Sequence, residues 1–269
     1  MSAFSKSVVI TGSTRGLGLA MAGSFLARGC AVTLSGRDEG ALDAARTALG
    51  EKDADRVSGL SGDVSSEADI RALWKHAIQR FGRVDIWINN AGTTNPQVPF
   101  IRQSTRTLAS VVETNLMGTM LGSHVALTAM LEQGFGALYN MEGFGSDGSR
   151  QPGMSTYGAT KAAVRYLTKS LADECKGTPV IVGALSPGVV VTDLLLRVYA
   201  EGDPENWTRA RRIFQFIADR TDVVAPFLAD AVLSNTKNGA RLAWMTVPKA
   251  VLRFLKPSYH RRKLLPERP

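Results

Sequence analysis

SVVITGSTRGLGLAMAGSFLARG, residues 7–29, is the stretch from which the architecture of the chain follows. Residues 7–11 form a short apolar, β-branched run, the pattern of a strand covered on both faces. Gly12, Gly16 and Gly18 then punctuate a turn, with Thr14, Arg15 and Leu17 between them, ahead of a helical run through Ala20, Met21, Phe25 and Leu26 that stops at Gly29. A helix that starts out of a glycine turn leaves its first backbone N–H groups unpaired, and with the helix dipole they attract an anion such as a pyrophosphate. A tight turn with no ligand is the plainer reading of the same residues.

The alternation continues outward. Strands are expected at 31–35, 57–60, 85–89, 136–141, 180–185 and 241–246, with helices at 39–49, 67–81 and 155–175. Strand-helix alternation predicts one α/β domain over residues 1–269: a doubly wound, mainly parallel, seven-stranded sheet with helices on both faces and ligands at the carboxyl ends of its strands. Folds of this kind that select NADH place an acid at the end of the second strand, against the ribose 2′-hydroxyl. Here Gly36 and Arg37 follow the strand, and Arg15 sits in the glycine turn. Two guanidiniums suit a 2′-phosphate, so NADPH is expected. After the third strand, Asp63 of GDVS could accept from the adenine amino group, with Val64 beside it.

Composition agrees with one enzyme-sized domain. The apolar fraction of 44% suffices for a large core. Cys30 and Cys175, the only cysteines, have neither metal-ligand nor disulfide spacing, which fits a reducing compartment. The N-terminus enters a strand almost at once, so the expected location is cytoplasmic. The net charge of +8 is uneven: residues 231–266 hold no acid but eight cations, namely Lys237, Arg241, Lys249, Arg253, Lys256, Arg261, Arg262 and Lys263.

Residues 155–175, STYGATKAAVRYLTKSLADEC, read as one amphipathic helix about five turns long. Tyr157 and Lys161 lie four apart and share a face. An ammonium beside a phenol favours phenolate, which predicts a lowered tyrosine pKa and proton exchange near neutrality. A chance meeting of two surface side chains is the alternative.

TGSTRGLG at 11–18, GDV at 62–64, NNAG at 89–92, Asn115, YGATK at 157–161 and SPGVVVTD at 186–193 together resemble, in order and spacing, the short-chain dehydrogenase/reductase family, over about residues 5–195. The resemblance implies a Rossmann-type sheet and hydride transfer between a nicotinamide and a carbonyl compound. It implies Tyr157 as proton donor, Lys161 as its electrostatic partner and ribose ligand, and Asn115 as anchor of a proton-relay water. Asn89, Asn90, Ala91 and Gly92 would lie along the cofactor, as would Pro187 and Gly188, with Val190 and Thr192 at the carboxamide. A homodimer or homotetramer is implied as well.

The chain departs from that pattern at the family's carbonyl-holding serine. Counting forward from Asn140 puts the slot at Gly143; counting back from Tyr157 puts it at Phe144. Ser146 is the nearest hydroxyl, with Glu142 and Asp147 as rivals and a solvated loop of no chemical role as the alternative. NMEGFGSDGS at 140–149, SPGVVVTDLLL at 186–196 and the tail MTVPKAVLRFLKPSYHRRK at 245–263 are similar to the chlorophyll(ide) b reductase branch, which uses NADPH to reduce a formyl group on a tetrapyrrole. The expected activity is therefore NADPH-dependent reduction of a carbonyl on a bulky hydrophobic substrate.

Residues 192–220 occupy the position of a substrate lid, with Leu194, Leu195, Leu196, Val198, Trp207, Ile213, Phe214 and Phe216 either greeting that substrate or packing as ordinary helices do. In the basic segment 247–269, a helix after Pro248 would set Lys249, Arg253 and Lys256 on one face and Val251, Leu252, Phe254 and Leu255 on the other. Such a segment rests on an anionic membrane or on a partner subunit. Two other classes compete: an NADPH-binding regulator without turnover, supported by the missing serine, and a nucleic-acid module, which lacks a recognised motif. No metal site is expected.

Overall fold

The computed structural model describes residues 4–50, 53–200 and 204–267. Strands β1 (Ser7–Ile10), β2 (Ala31–Gly36), β3 (Val57–Ser61), β4 (Ile86–Asn89), β5 (Gly136–Met141), β6 (Val180–Ser186) and, late in the chain, β9 (Arg241–Ala243) form one sheet ordered β3-β2-β1-β4-β5-β6-β9. Every neighbouring pair in it is parallel. The seven strands and helices on both faces are those expected, with the last strand ending at Ala243 rather than at residue 246.

Two apolar layers sandwich the sheet. On one face α1 (Gly16–Leu26), α2 (Glu39–Gly50) and α9 (Thr221–Ser234) bring Met21, Phe25, Leu42, Val224 and Leu228 against Val8, Ile10, Val32 and Leu34. On the other, α3 (Glu67–Phe81), α5 (Gly118–Gln133) and α6 (Ser155–Glu174) set Ile70, Leu73, Val125, Met130 and Ala172 against Val9, Trp87, Leu138 and Val182. All four residues of β1 are buried because both layers cover it, which explains its unbroken apolar pattern.

Strand order reverses between β1 and β4, and a parallel sheet opens its ligand crevice at such a point. Above the carboxyl ends stand α4 (Thr105–Val112) and a π-helical turn, Glu113–Met117, leading into α5. Beyond β6 the small strands β7 (Val189–Val191) and β8 (Ala218–Arg220) pair in parallel and tie down α7 (Asp193–Ala200) and α8 (Pro204–Ile217), the region read as the lid. Within it the sequence has a polar break at 202–206, of which residues 202–203 lie outside the described residues. The chain closes with α10 (Val247–Leu255) and α11 (Pro257–His260).

Candidate active site

Gly12 leaves β1 with φ +61°, and a Cβ there would meet the Ala91 Cα at 2.6 Å, so the β1 and β4 loops touch only because residue 12 is glycine. Thr11 Oγ1 accepts from the N–H groups of Asn90 and Ala91 (both 3.1 Å), and Asn90 Nδ2 donates to the carbonyls of Thr11 and Gly12 (both 2.9 Å). Asn90 thus clamps the turn. Arg15 is the extended N-cap of α1 and supplies no side-chain cap, so the opening N–H groups at Gly16, Leu17 and Gly18 stay available to an anion. This cradle fits a dinucleotide pyrophosphate. Thr192, whose hydroxyl receives the Leu195 N–H at 3.4 Å, closes over Gly16 from the β6 side, and Gly188 (φ +72°) packs on Met245.

At the β2 end Thr14 packs over Gly36, and Arg15 and Arg37 are both exposed. The nearest acid, Asp38, accepts the Ala41 N–H at 2.7 Å and so caps α2. Arg37 reaches Asp63 at 3.9 Å. Burial works against the Asp63 carboxylate, but the Ser65 side-chain and backbone hydrogen bonds and Arg37 outweigh it and hold its pKa below the usual range. Val64 packs beneath it on Gly118.

Two motif asparagines serve the interior. Asn89 is 4% exposed; its Oδ1 receives Trp87 Nε1 (2.7 Å) while its Nδ2 donates to Asn140 (2.8 Å) and Ser123 (3.1 Å). Its side-chain amide ties β4 to β5 and α5. Asn115, fully buried in the π-helical turn, accepts from Thr93 N (2.8 Å) and donates to Thr93 O (2.9 Å) and Thr160 (3.2 Å). It braces the loop after Gly92 against α6.

Tyr157 and Lys161 stand on the first turns of α6 over the β4 and β5 ends. Asn95, wholly buried, accepts the Tyr157 N–H at 3.2 Å and donates to Gly153 at 2.7 Å, fixing where α6 begins. Lys161 is 4% exposed and its Nζ donates to Met141 O at 3.1 Å, with Gly92 alongside. Its ammonium lies 5.9 Å from the Tyr157 ring centroid. Burial lowers the Lys161 pKa to about 8, and the Glu142 charge opposes that fall. Burial raises Tyr157 to about 12, which overturns the expectation of a phenol shifted down by its neighbour. At this distance the ammonium is outweighed by desolvation, so the group at neutral pH is a phenol with a proton to give.

The β5–α6 loop settles the serine slot geometrically. A Cβ at Gly143 would lie 2.5 Å from Tyr157 Oη, so forward counting identifies the position beside the phenol, and a larger residue there would make the phenol shift. Phe144 is 40% exposed. Ser146 is buried; its N–H donates to Gly143 O at 3.1 Å and its carbonyl accepts from Arg165 at 3.4 Å. Asp147 is exposed and its carboxylate accepts from Ser149, whose hydrogen bonds lower its pKa. Glu142 is 3% exposed and gripped by Arg241 (2.7 Å) and Arg165 (3.7 Å), with Arg241 also donating to Ser186 (2.7 Å). As a substrate-contacting carboxyl it is excluded, since its oxygens already face two guanidiniums.

The lid contributes a third apolar cluster of Met154, Val198, Tyr199, Trp207 and Ala210, against which Tyr157, Leu195, Leu196 and Phe214 pack. Most of the expected lid residues therefore hold the lid together, while Ile213 remains 52% exposed. Between α4 and α7 a cleft of about 260 Å³ is lined by Thr94, Pro96, Ser110, Val111 and the arginines Arg106 and Arg197. Thr11, Asn95 and the Glu142 pair of arginines carried no spacing signal in the sequence, because their partners lie far along the chain.

A dinucleotide cradle at the switch point, with a half-buried Tyr157 and a buried Lys161 facing it, defines a nicotinamide-dependent oxidoreductase. The short chain dehydrogenase family profile matches residues 6–202, and the chain belongs to that family. It is 35% identical over 238 residues to the chlorophyll(ide) b reductase NOL of Arabidopsis thaliana, covering 87% of this chain and 67% of that one. It is 33% identical over 264 residues to the probable chlorophyll(ide) b reductase NYC1 of Oryza sativa, covering 92% and 51%. The chain thus spans about half to two thirds of these relatives. Among solved structures, levodione reductase superposes with TM-score 0.82 at 29% identity, covering 92% of this chain and 99% of that one. The 3-ketoacyl-(acyl-carrier-protein) reductase of Brucella melitensis, complexed with NADH, gives 0.78 at 26%, covering 90% and 98%.

Proposed function

We propose that the protein is an NADPH-dependent carbonyl reductase acting on a formyl group of a bulky hydrophobic substrate, of the kind presented by chlorophyll(ide) b, where a 7-formyl becomes a 7-hydroxymethyl group. The observation that carries the reaction type is the Tyr157 phenol with the buried Lys161 ammonium 5.9 Å from its ring, beside the Gly92 edge of the dinucleotide cradle. The bound nicotinamide supplies the hydride. Tyr157 gives its proton to the carbonyl oxygen, Lys161 neutralises the phenolate that remains, and Asn115 and Asn95 keep loop and helix in register. The lid cluster against Tyr157 excludes water from the reacting face. Ser146 is the hydroxyl proposed to assist the substrate oxygen, and Ser146→Ala should lower turnover much more than Ser149→Ala; equal, mild effects would discard it.

NADPH is favoured by Arg15 and Arg37 at the β2 end, where Asp38 is occupied capping α2. Equal or better specificity for NADH in steady-state kinetics would refute the cofactor choice. The bulky substrate is supported by the relatives. An NADPH oxidation assay against a panel running from small aldehydes to formyl-bearing tetrapyrroles tests it, with turnover expected on the tetrapyrroles. Assembly as a homodimer or homotetramer belongs to the same proposal. Met120, Leu131 and Tyr166 expose 43%, 46% and 77% of their surfaces on α5 and α6, apolar area that a second copy would cover. Light scattering should give a mass of at least two chains.

A further inference from the structure

Helix α10 is built inside out. The residue it turns inward is Arg253, 5% exposed, with Nη1 2.7 Å from Asp219 and its guanidinium 5.0 Å from the Tyr259 ring. Lys249 also folds back, donating to Trp244 O at 3.1 Å. Lys249 and Arg253 thus share the inner face, while Lys256, expected beside them, is exposed. The large apolar residues point to solvent: Val247 is 78% exposed, Val251 53%, Leu252 52% and Leu255 74%. Val247, Val251 and Leu255 recur every fourth residue and so make one stripe.

The mount is rigid. Asp219 also takes Trp244 Nε1 at 2.7 Å and Arg262 at 3.0 Å, and Phe254 stacks on Phe216 with centroids 4.5 Å apart. Around the stripe lie the exposed cations Lys256, Arg261 and Lys263, in a stretch with no acid from residue 231 to 266. A second copy docked there about a two-fold axis would bring like charges together. A nucleic acid would satisfy the cations and leave the aliphatic stripe in water. An anionic bilayer meets both demands, its acyl boundary receiving the stripe and its phosphates the cations.

We propose that α10 and the basic residues after it form a docking face that seats the protein on an anionic lipid surface, α10 lying in the interfacial plane. Since α10 packs on α8, docking sets the lid at the lipid boundary. The inference stands on the geometry of the tail and is independent of the carbonyl-reductase reading.

The test is co-sedimentation of the full chain with phosphatidylcholine vesicles with or without phosphatidylglycerol. Wild type should pellet with the anionic vesicles alone and be released by high salt. Val251→Glu with Leu255→Glu should cut pelleting at least about ten-fold while leaving the thermal melt and the solution mass unchanged. Wild type remaining in the supernatant with anionic vesicles, or equal pelleting of the double variant, overturns the proposal. So does a fall in solution mass on substitution, which would make this face a contact between copies.

Discussion

The phenol of Tyr157 and the ammonium of Lys161 are moved in opposite senses by one cause, removal from water, and both end nearer their neutral forms. Tyr157→Phe should leave NADPH binding intact and lower turnover by roughly 10²–10⁴-fold, read by single-turnover kinetics and cofactor titration. For Lys161 the folded pKa of about 8 lies below the ordinary 10.5, so the buried cation costs stability in full below about pH 8. That cost fades as pH rises toward the unfolded value. Lys161→Met should therefore melt a few degrees above wild type at neutral pH, with the gap shrinking toward about pH 10. Glu142 opposes the fall, so Glu142→Gln should shift the alkaline limb of the kcat/KM profile to lower pH. Gly143→Ser restores the family's hydroxyl at the matching position, yet its Cβ would stand 2.5 Å from Tyr157 Oη. Activity should fall rather than rise.

Among the elements, α6 and α10 differ in what a sequence pattern can reveal. The expected span of α6 is met to within a residue, because its inner face repeats at helical spacing and packs on the sheet. Helix α10 has the same amphipathic spacing but the opposite orientation. Periodicity says which residues share a face; what that face meets depends on partners elsewhere, here Asp219 on β8. Asp219 carries Arg253, Arg262 and Trp244 at once and is 3% exposed. Asp219→Ala leaves a buried guanidinium unpaired and should destabilise the fold by about 3–5 kcal/mol, measurable by urea unfolding.

For the whole molecule, strand order places the cradle, the Tyr-Lys pair and the lid at the carboxyl ends of the strands. The glycine turn, the alternation of strands with helices and the YGATK spacing were legible because each is local: backbone conformations, buried faces and helical neighbours are set within a few residues. The interior partners of the Asn89 and Asn115 amides, among them Asn140 and Thr160, lie far along the chain and were not legible from motif position. By itself the sequence determined the parallel α/β sheet, the family and the placing of Tyr157 and Lys161 on one helix face. Only the tertiary structure decided that burial pushes the phenol pKa up, that residue 143 abuts the phenol, that Glu142 answers to two arginines and that α10 shows its apolar side to solvent. Desolvation and pairing arise from residues far apart in the chain, and no local pattern encodes them.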